Sequence, residues 1–379
     1  LNWGCIPTKS LLASAHVLEM AGRASEFGVR IPSAEADFGA VMRRKDAVVG
    51  RLRDGVEKLL ARRGVEVVAG EATVGHGVVE VEGPDGSATL EADRLILATG
   101  STPVVPRAFP HDGRLVMTSR DALALTDLPE SILVIGAGAV GCEFACLFSA
   151  LGSRVVLVEM LPEILPGEDA SAARMLRSQL RRCGVDVRVG TPVEAMETRD
   201  DHVVSTLGEG DEVRTAVSLI AIGRRPAVES AGLPDTGVAV ADGAVVVDEH
   251  METSVPGLYA IGDLVGGWQL AHVASREGIV AASNAAGQEV AIDYSAVPRC
   301  VFTSPEVASV GMTEQDTDAR GVELAVGRFP FSASGRAVAS GEPVGFVKLF
   351  SRAGDGVLVG GVVVGAGAKV NFEFVAKIS

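Results

Sequence analysis

The sequence predicts an α/β protein built around a parallel sheet, and three observations predict it. Residues 132–135, Ile-Leu-Val-Ile, are continuously apolar, as expected of a strand buried on both faces. A glycine-rich turn follows, Gly136-Ala137-Gly138-Ala139-Val140-Gly141, then an apolar helical stretch over 140–151 and a second apolar run over 155–158. That succession is a βαβ unit. Elsewhere the run 219–222 enters Gly223 in the way that 95–98 enters Thr99-Gly100, so a similar design occurs twice.

Bulk properties narrow the class. A chain of 379 residues is long enough for two or three domains. Residues are 47% hydrophobic but only 4% aromatic, with 45 glycines, so alanine, valine and leucine must fill the core. The net charge of −15, with a pI of about 4.9, repels phosphate backbones and excludes nucleic acid as a natural partner. Cys5, Cys142, Cys146, Cys183 and Cys300 show neither zinc spacing nor a disulfide framework. Cys142 and Cys146 stand one turn apart in an apolar helix and read as small core residues. No stretch reaches the roughly 18 apolar residues of a membrane helix, and no signal peptide is evident, which predicts a cytoplasmic protein with no membrane partner. The chain opens on Leu1 without an initiator methionine and enters structure at once, which predicts sequence upstream of it.

In chain order, 10–23 has helical periodicity through Leu11, Leu12, Ala15, Leu18 and Ala21. Pro7 is placed to start that helix as its first residue, which sets Cys5 at the helix N-terminus, where the macrodipole favours a thiolate. Lys9, four residues on, shares its face. A lone cysteine here reads first as a small buried residue; the remaining motifs make it a redox candidate. Residues 38–63 form a long amphipathic helix closed by Gly64. Residues 65–68 alternate like a strand. Residues 78–81 and 88–90, split by Gly83-Pro84-Asp85-Gly86, make a hairpin. After the βαβ unit come a helix over 170–183, a strand over 185–189 and a hairpin over 203–217. Residues 258–261 form another apolar strand, with a helix from about Ala271. Residues 357–370 are glycine-rich strand and turn.

The chemistry lies at the strand ends. In Gly136-x-Gly138-x-x-Gly141 the first glycine permits a tight turn, the second lets backbone approach a pyrophosphate, and the third lets helix and strand pack closely. The helix N-terminus adds N–H donors and a positive dipole. Glu159 ends the second strand, where a carboxylate accepts from adenosine ribose hydroxyls and repels a 2′-phosphate, so NAD is favoured over NADP. Gly262-Asp263 follows another apolar strand, where an aspartate can take a sugar-like hydroxyl; alone it would read as a cap or turn residue. His272, near the next helix start, reads alone as a cap-region or exposed histidine with no metal partner.

Together these motifs closely resemble the dihydrolipoyl dehydrogenase branch of the flavin- and pyridine-nucleotide-dependent disulfide reductases. The matching segments, in order, are Leu1-Asn2-Trp3-Gly4-Cys5-Ile6-Pro7-Thr8-Lys9, Ala98-Thr99-Gly100-Ser101 and the glycine loop through Glu143. Next come Ile222-Gly223-Arg224-Arg225-Pro226, Ile261-Gly262-Asp263, Leu270-Ala271-His272 and 303–311, then Phe329-Pro330-Phe331 and Gly345-Phe346-Val347-Lys348. The resemblance implies two Rossmann-like nucleotide-binding domains, for FAD and NAD, plus a partial α+β interface domain. Its implied bounds are 1–120 for the FAD domain without its first βαβ unit, 121–241 for NAD, 242–293 for FAD resumed, and 294–379 for dimerisation. It implies Cys5 as the flavin-proximal cysteine of a redox disulfide, with Lys9 near the flavin and paired to Glu143. It assigns Ala72, Thr99, Gly100, Ser101, Asp263, Gln269, Leu270, Ala271 and His272 to FAD, with Lys9 and Glu143. Gly136, Gly138, Gly141, Glu159, Val193 and Gly223 fall to NAD. The implied reaction passes electrons from dihydrolipoamide, free or on a lipoyl-bearing carrier protein, through the disulfide and FAD to NAD+ in a homodimer. Other readings are a non-catalytic NAD-binding fragment and another reductase of the class, such as mercuric reductase.

The chain also departs from that pattern. The family's first redox cysteine falls immediately before Leu1, as does its first FAD-cradling βαβ unit. The family's late His-Glu pair has no counterpart, since no histidine follows His272. The resemblance fades beyond Gly365-Ala366-Gly367 into a divergent tail over 369–379. These departures imply that this polypeptide by itself is inactive.

Overall fold

The computed structural model describes residues 1–368 apart from 76, 85, 317–320 and 322. The predicted tail over 369–379 lies outside the described residues. The chain divides into two compact units, one comprising Leu1–Arg53, Val105–Gly223 and Ala296–Ser379, the other Asp54–Val104 and Arg224–Ser295.

The first unit holds the βαβ core. Five parallel strands lie in the order Val116–Thr118, Val217–Ile220, Ser131–Ile135, Arg154–Glu159 and Asp186–Val189. Their apolar runs are needed because Ser131–Ile135 is buried along its whole length. Helix Ala139–Leu151 ends at Gly152, whose φ of 107° supplies the left-handed turn. Helix Ala170–Arg182 starts on Asp169, whose carboxylate accepts the N–H groups of Ser171 and Ala172. Helix Cys5–Gly22 contributes Leu11 and Ala15 to the same core as Phe144, Phe148, Phe346 and Phe350. The last two come from a five-stranded antiparallel sheet ordered Arg299–Val301, Glu306–Gly311, Leu358–Gly365, Phe346–Arg352, Leu324–Pro330.

The second unit holds the other strand-to-glycine design. Leu95–Leu97 pairs in parallel with Leu258–Ala260, and the antiparallel strands Glu71–Val74, Val78–Gly83 and Gly86–Glu91 form a separate sheet. Helix Ala271–Ala285 buries Val280 and Ala281 against Tyr259. The fold class is the predicted one.

Three local expectations change. Pro7 is the third residue of helix Cys5–Gly22, which begins at Cys5 on an N-cap at Gly4. The first four N–H groups of a helix lack intrahelical partners, so proline is tolerated there as well. Residues 65–68 are exposed and pair with no strand among the described residues; alternation of β-branched residues makes a strand only where a ladder partner lies alongside. The hairpin expected over 203–217 forms as Val203–Leu207 and Glu212–Thr215, joined by a third strand, Val193–Thr198, that the sequence reading missed.

Candidate functional site

In the first unit the glycine loop is held from several sides. Gly136 donates its N–H to the Val158 carbonyl at 2.8 Å, and Ala137 donates to Glu159 Oε2 at 2.7 Å. Leu161 N–H donates to Glu159 Oε1 at 2.9 Å, and the Cys142 thiol to the Ala137 carbonyl at 3.3 Å. The three glycines have different neighbours. A Cβ on Gly136, whose φ is 96°, would lie 2.6 Å from the Ala221 carbonyl oxygen. A Cβ on Gly141 would run into the Gly136 carbonyl oxygen. A Cβ on Gly138 would meet nothing within 4 Å. The outer glycines are therefore required by the turn itself, while the middle one leaves open space at the N-cap of a 13-residue helix with no side-chain cap and no acidic residue in its first turn. Donor N–H groups facing open space fit a dinucleotide pyrophosphate.

Glu159 is buried, and both of its oxygens brace the loop that it follows. Each carboxylate oxygen has a second lone pair, so bracing the loop and accepting from a ribose hydroxyl are compatible. Gly223, with φ of 128°, is exposed just beyond Ala221. Val193 opens the strand that the sequence reading missed and packs with Leu133, Ile135, Val156 and Val158.

A second cluster in the first unit surrounds Lys9. The Lys9 ammonium lies 3.9 Å from the centroid of the Phe302 ring, and the Phe302 N–H donates to Glu143 Oε1 at 3.0 Å. Burial pushes the Glu143 carboxyl up, against the opposing pull of the Phe302 hydrogen bond and the Lys9 charge. The expected direct pairing of Lys9 with Glu143 does not form among the described residues: each instead contacts Phe302, Lys9 at its ring and Glu143 at its N–H, and the Lys9 charge reaches Glu143 only at longer range. Sequence reasoning did not single out Phe302. Its contribution is a backbone N–H and a ring face; the nearest signal was its place just before the Thr303-Ser304-Pro305 motif. Cys5 is exposed and free in the first turn of the same helix as Lys9. Cys142 is buried and Cys146 half-buried, and burial pushes Cys146 up to about 12.

In the second unit, Ser101 Oγ donates to Asp263 Oδ2 at 2.5 Å, and Arg224 donates from Nε to Ser101 Oγ and from its terminal nitrogen to the Ser101 carbonyl, both at 2.7 Å. Arg224 Nε stands 3.8 Å from Asp263 Oδ2. Ser101 and Asp263 are therefore brought together, with Arg224 added. Arg224 belongs to the segment Ile222-Gly223-Arg224-Arg225-Pro226, whose spacing alone does not mark it as a site residue. Ala227 N–H donates to the Gly100 carbonyl at 2.9 Å, and a Cβ on Gly100, at φ 73°, would meet nothing within 4 Å. Thr99 Oγ1 donates to the Ala227 carbonyl at 3.4 Å. Ala72 sits opposite Val81 in the separate antiparallel sheet. Gln269 adopts a positive φ of 47°, Leu270 is the N-cap, and Ala271 and His272 open the helix, both exposed. Neither a capping side chain nor a first-turn acid neutralises this helix start, so it fits an electron-rich oxygen. No group of metal-ligand side chains occurs among the described residues, and no helix among them is long and apolar enough to cross a membrane.

Residues 1–278 match the pyridine nucleotide-disulphide oxidoreductase family, and residues 297–377 match its dimerisation domain. The chain belongs to this family. The dimerisation match runs past residue 368, where the resemblance was expected to fade. Dihydrolipoyl dehydrogenase of Bacillus subtilis is 37% identical over 369 residues, covering 96% of this chain and 81% of that protein. Dihydrolipoyl dehydrogenase of Halobacterium salinarum is 38% identical over 387 residues, covering 100% and 81%. Among solved structures, LpdA from Mycobacterium tuberculosis superposes with a TM-score of 0.90 at 31% identity, over 99% of this chain and 83% of that one. The HOCl-induced flavoprotein disulfide reductase RclA from Escherichia coli superposes with a TM-score of 0.89 at 28% identity, over 100% and 83%. By family the chain is an FAD- and NAD-linked disulfide oxidoreductase.

Proposed function

We propose that this chain is the catalytic body of a dihydrolipoyl dehydrogenase, taking electrons from dihydrolipoamide, free or on a lipoyl-bearing carrier, and delivering them to NAD+. The observation that carries the nucleotide half is the open position at Gly138 between two glycines closed by backbone. The substrate half rests on similarity to proteins named dihydrolipoyl dehydrogenase.

In this reading FAD, when bound, supplies two-electron carriage between thiols and nicotinamide. The chain's own groups have distinct tasks. Gly136, Gly138 and Gly141 admit the NAD pyrophosphate to the helix N-terminus. Glu159 orients the adenosine ribose and disfavours a 2′-phosphate, with Val193 and Gly223 flanking the dinucleotide. Cys5, an exposed thiol, is the flavin-proximal member of the redox pair. Lys9 presents its ammonium beside the redox centre, held over the Phe302 ring, while Glu143 accepts from the Phe302 N–H and is favoured as a carboxylate by the Lys9 charge. Asp263, supported by Ser101, accepts from FAD hydroxyls, and Ala72, Thr99, Gly100, Gln269, Leu270, Ala271 and His272 complete the flavin set. The proposed domains are 1–120 with 242–293 for FAD, 121–241 for NAD, and 294–379 for assembly into a homodimer. A cytoplasmic setting accords with five free thiols.

The test is calorimetric titration with NAD+ and NADP+, followed by dihydrolipoamide-dependent NADH formation. NAD+ is expected to bind at least about tenfold more tightly than NADP+, since a carboxylate stands where a 2′-phosphate would lie. Equal affinities would remove the assigned role of Glu159. Electron transfer from dihydrolipoamide would overturn the expectation that this polypeptide by itself is inactive, whereas NAD+ binding without it would favour the alternative reading of a non-catalytic NAD-binding fragment.

A further inference from the structure

Helix Ala271–Ala285 carries a carboxylate on its buried face. Glu277 is 3% exposed, and no cation pairs with it among the described residues. A carboxylate in that position is costly unless its oxygens are satisfied. Both are. Oε2 accepts the Gly262 N–H at 2.7 Å, and Oε1 accepts the Tyr294 O–H at 2.7 Å.

The Gly262 bond has a specific place in the backbone. The parallel ladder between Leu95–Leu97 and Leu258–Ala260 ends where Ile261 N–H donates to the Leu97 carbonyl at 3.0 Å. The next N–H along the chain belongs to Gly262 and goes to the helix, through Glu277. Gly262 has φ of 70°, and a Cβ there would lie 3.3 Å from the Ala274 Cβ. The turn is thus held against the helix by a charged hydrogen bond and by close packing, and the residue after it is Asp263. Tyr294 fixes the other carboxylate oxygen, and burial, reinforced by that contact, pushes the Tyr294 hydroxyl well above its ordinary pKa.

We propose that Glu277 is a positioning residue for flavin binding: it sets the Gly262–Asp263 turn, and through it the Asp263 carboxylate, while Tyr294 holds Glu277 in place. The inference rests on the reading of Asp263 as an FAD ligand. The helix thereby acts at two places. Its N-terminus faces outward from Ala271, and its buried carboxylate fixes the neighbouring strand end.

The experiment compares FAD dissociation constants, from flavin fluorescence, for the parent chain, Glu277→Ala, Glu277→Gln and Tyr294→Phe. Hydrogen exchange of peptides spanning 262–265 and melting temperatures are recorded alongside. Glu277→Ala leaves the Gly262 N–H without an acceptor and should weaken FAD about tenfold while speeding exchange at the turn. Glu277→Gln keeps a carbonyl acceptor and should restore affinity to within about threefold of the parent. If Glu277→Ala does not fold, Tyr294→Phe carries the test, with a loss of about threefold expected and unchanged affinity overturning the proposal. A lowered melting temperature with parental FAD affinity and parental exchange at 262–265 would show a merely structural bond and overturn it. Failure of the parent chain itself to bind FAD is a separate result: it overturns the flavin reading and the positioning role with it.

Discussion

Lys348 and Asp169, 179 residues apart in sequence, form a buried ion pair: Nζ donates to Oδ2 at 2.9 Å, with side-chain exposures of 7% and 1%. Lys348 also donates to Ser171 Oγ at 3.1 Å and to Glu314 Oε2 at 2.6 Å. Asp169 is the N-cap of helix Ala170–Arg182, so one ammonium joins the C-terminal sheet to the start of that helix. Arg299 adds a similar link from the same sheet, donating to Glu168 Oε1 at 2.9 Å. Removing one partner of a buried pair leaves an uncompensated charge. Lys348→Met is therefore expected to destabilise the protein by about 3–5 kcal/mol in urea titration. The double variant Lys348→Met/Asp169→Asn should lose less than the single one. A single variant as stable as the parent would show that the pair carries no weight.

The same pair sets a pH dependence. Burial alone would raise the Asp169 carboxyl, but hydrogen bonds from Ser171 and Lys348 outweigh it and hold the group below its ordinary value of 3.8. A carboxyl lowered on folding stabilises the protein above its unfolded pKa, and that contribution disappears as pH falls through the folded pKa. Glu143 has the opposite sign. Burial raises it above 4.5, so its ionisation opposes folding as pH rises past that value. Stability measured from pH 7 down to pH 2 should fall most steeply below about 4 in the parent, and Asp169→Asn should flatten that fall. An unchanged acid limb in Asp169→Asn would assign the dependence to other carboxylates.

The glycine loop separates a folding requirement from a binding requirement. Alanine at 141 would collide with the Gly136 carbonyl inside the loop. Gly141→Ala is expected to cost about 1–3 kcal/mol of stability, because neither backbone segment can yield freely. Alanine at 138 has space on all sides and an ordinary φ of −70°. Gly138→Ala should alter stability by less than about 0.5 kcal/mol while weakening NAD+ by about tenfold, since the methyl fills the room where the phosphates approach. Thermal melts and NAD+ titration of the two variants decide it. Normal NAD+ affinity in Gly138→Ala would mean that the open space at the helix N-terminus is not the pyrophosphate site.

What the sequence revealed followed from locality. The βαβ core was legible because the run at 132–135, the glycine loop and the run ending at Glu159 lie within 28 residues, and each carries its own physical signature. Strand Val193–Thr198 was missed because its residues alternate only loosely and its pairing with Val203–Leu207 is interrupted by an irregularity between Val193 and Ala195. The run at 65–68 misled for the converse reason: good strand residues do not reveal whether a neighbour exists. Phe302, Arg224, Glu277 and Lys348 act through partners far along the chain or through backbone N–H groups. No spacing rule encodes that Lys348 will meet Asp169, or that Glu277 will meet both Gly262 and Tyr294. The side chains with chemistry were visible; the groups that hold them became visible only in three dimensions.

Cysteine reactivity gives the most direct check on the proposed redox thiol. Cys5 is exposed in the first helical turn, and Cys183 is exposed at the end of helix Ala170–Arg182. Burial and the Glu19 charge push the Cys183 thiol up, which lowers its thiolate fraction. Cys142 is buried and raised further, and Cys146 is pushed up to about 12 by burial. Alkylation by iodoacetamide requires both the thiolate and access to it. Mass-spectrometric mapping at pH 7.5 under native conditions should therefore find Cys5 modified first, Cys183 more slowly by about tenfold or more, and Cys142 and Cys146 only after denaturation. If FAD binds as proposed, bound flavin should slow labelling of Cys5 and leave Cys183 unchanged, because only the former thiol would face the ring. Equal protection of both thiols by flavin would point to general tightening of the fold, and loss of selectivity for Cys5 in the unliganded chain would remove the case for it as the flavin-proximal redox thiol.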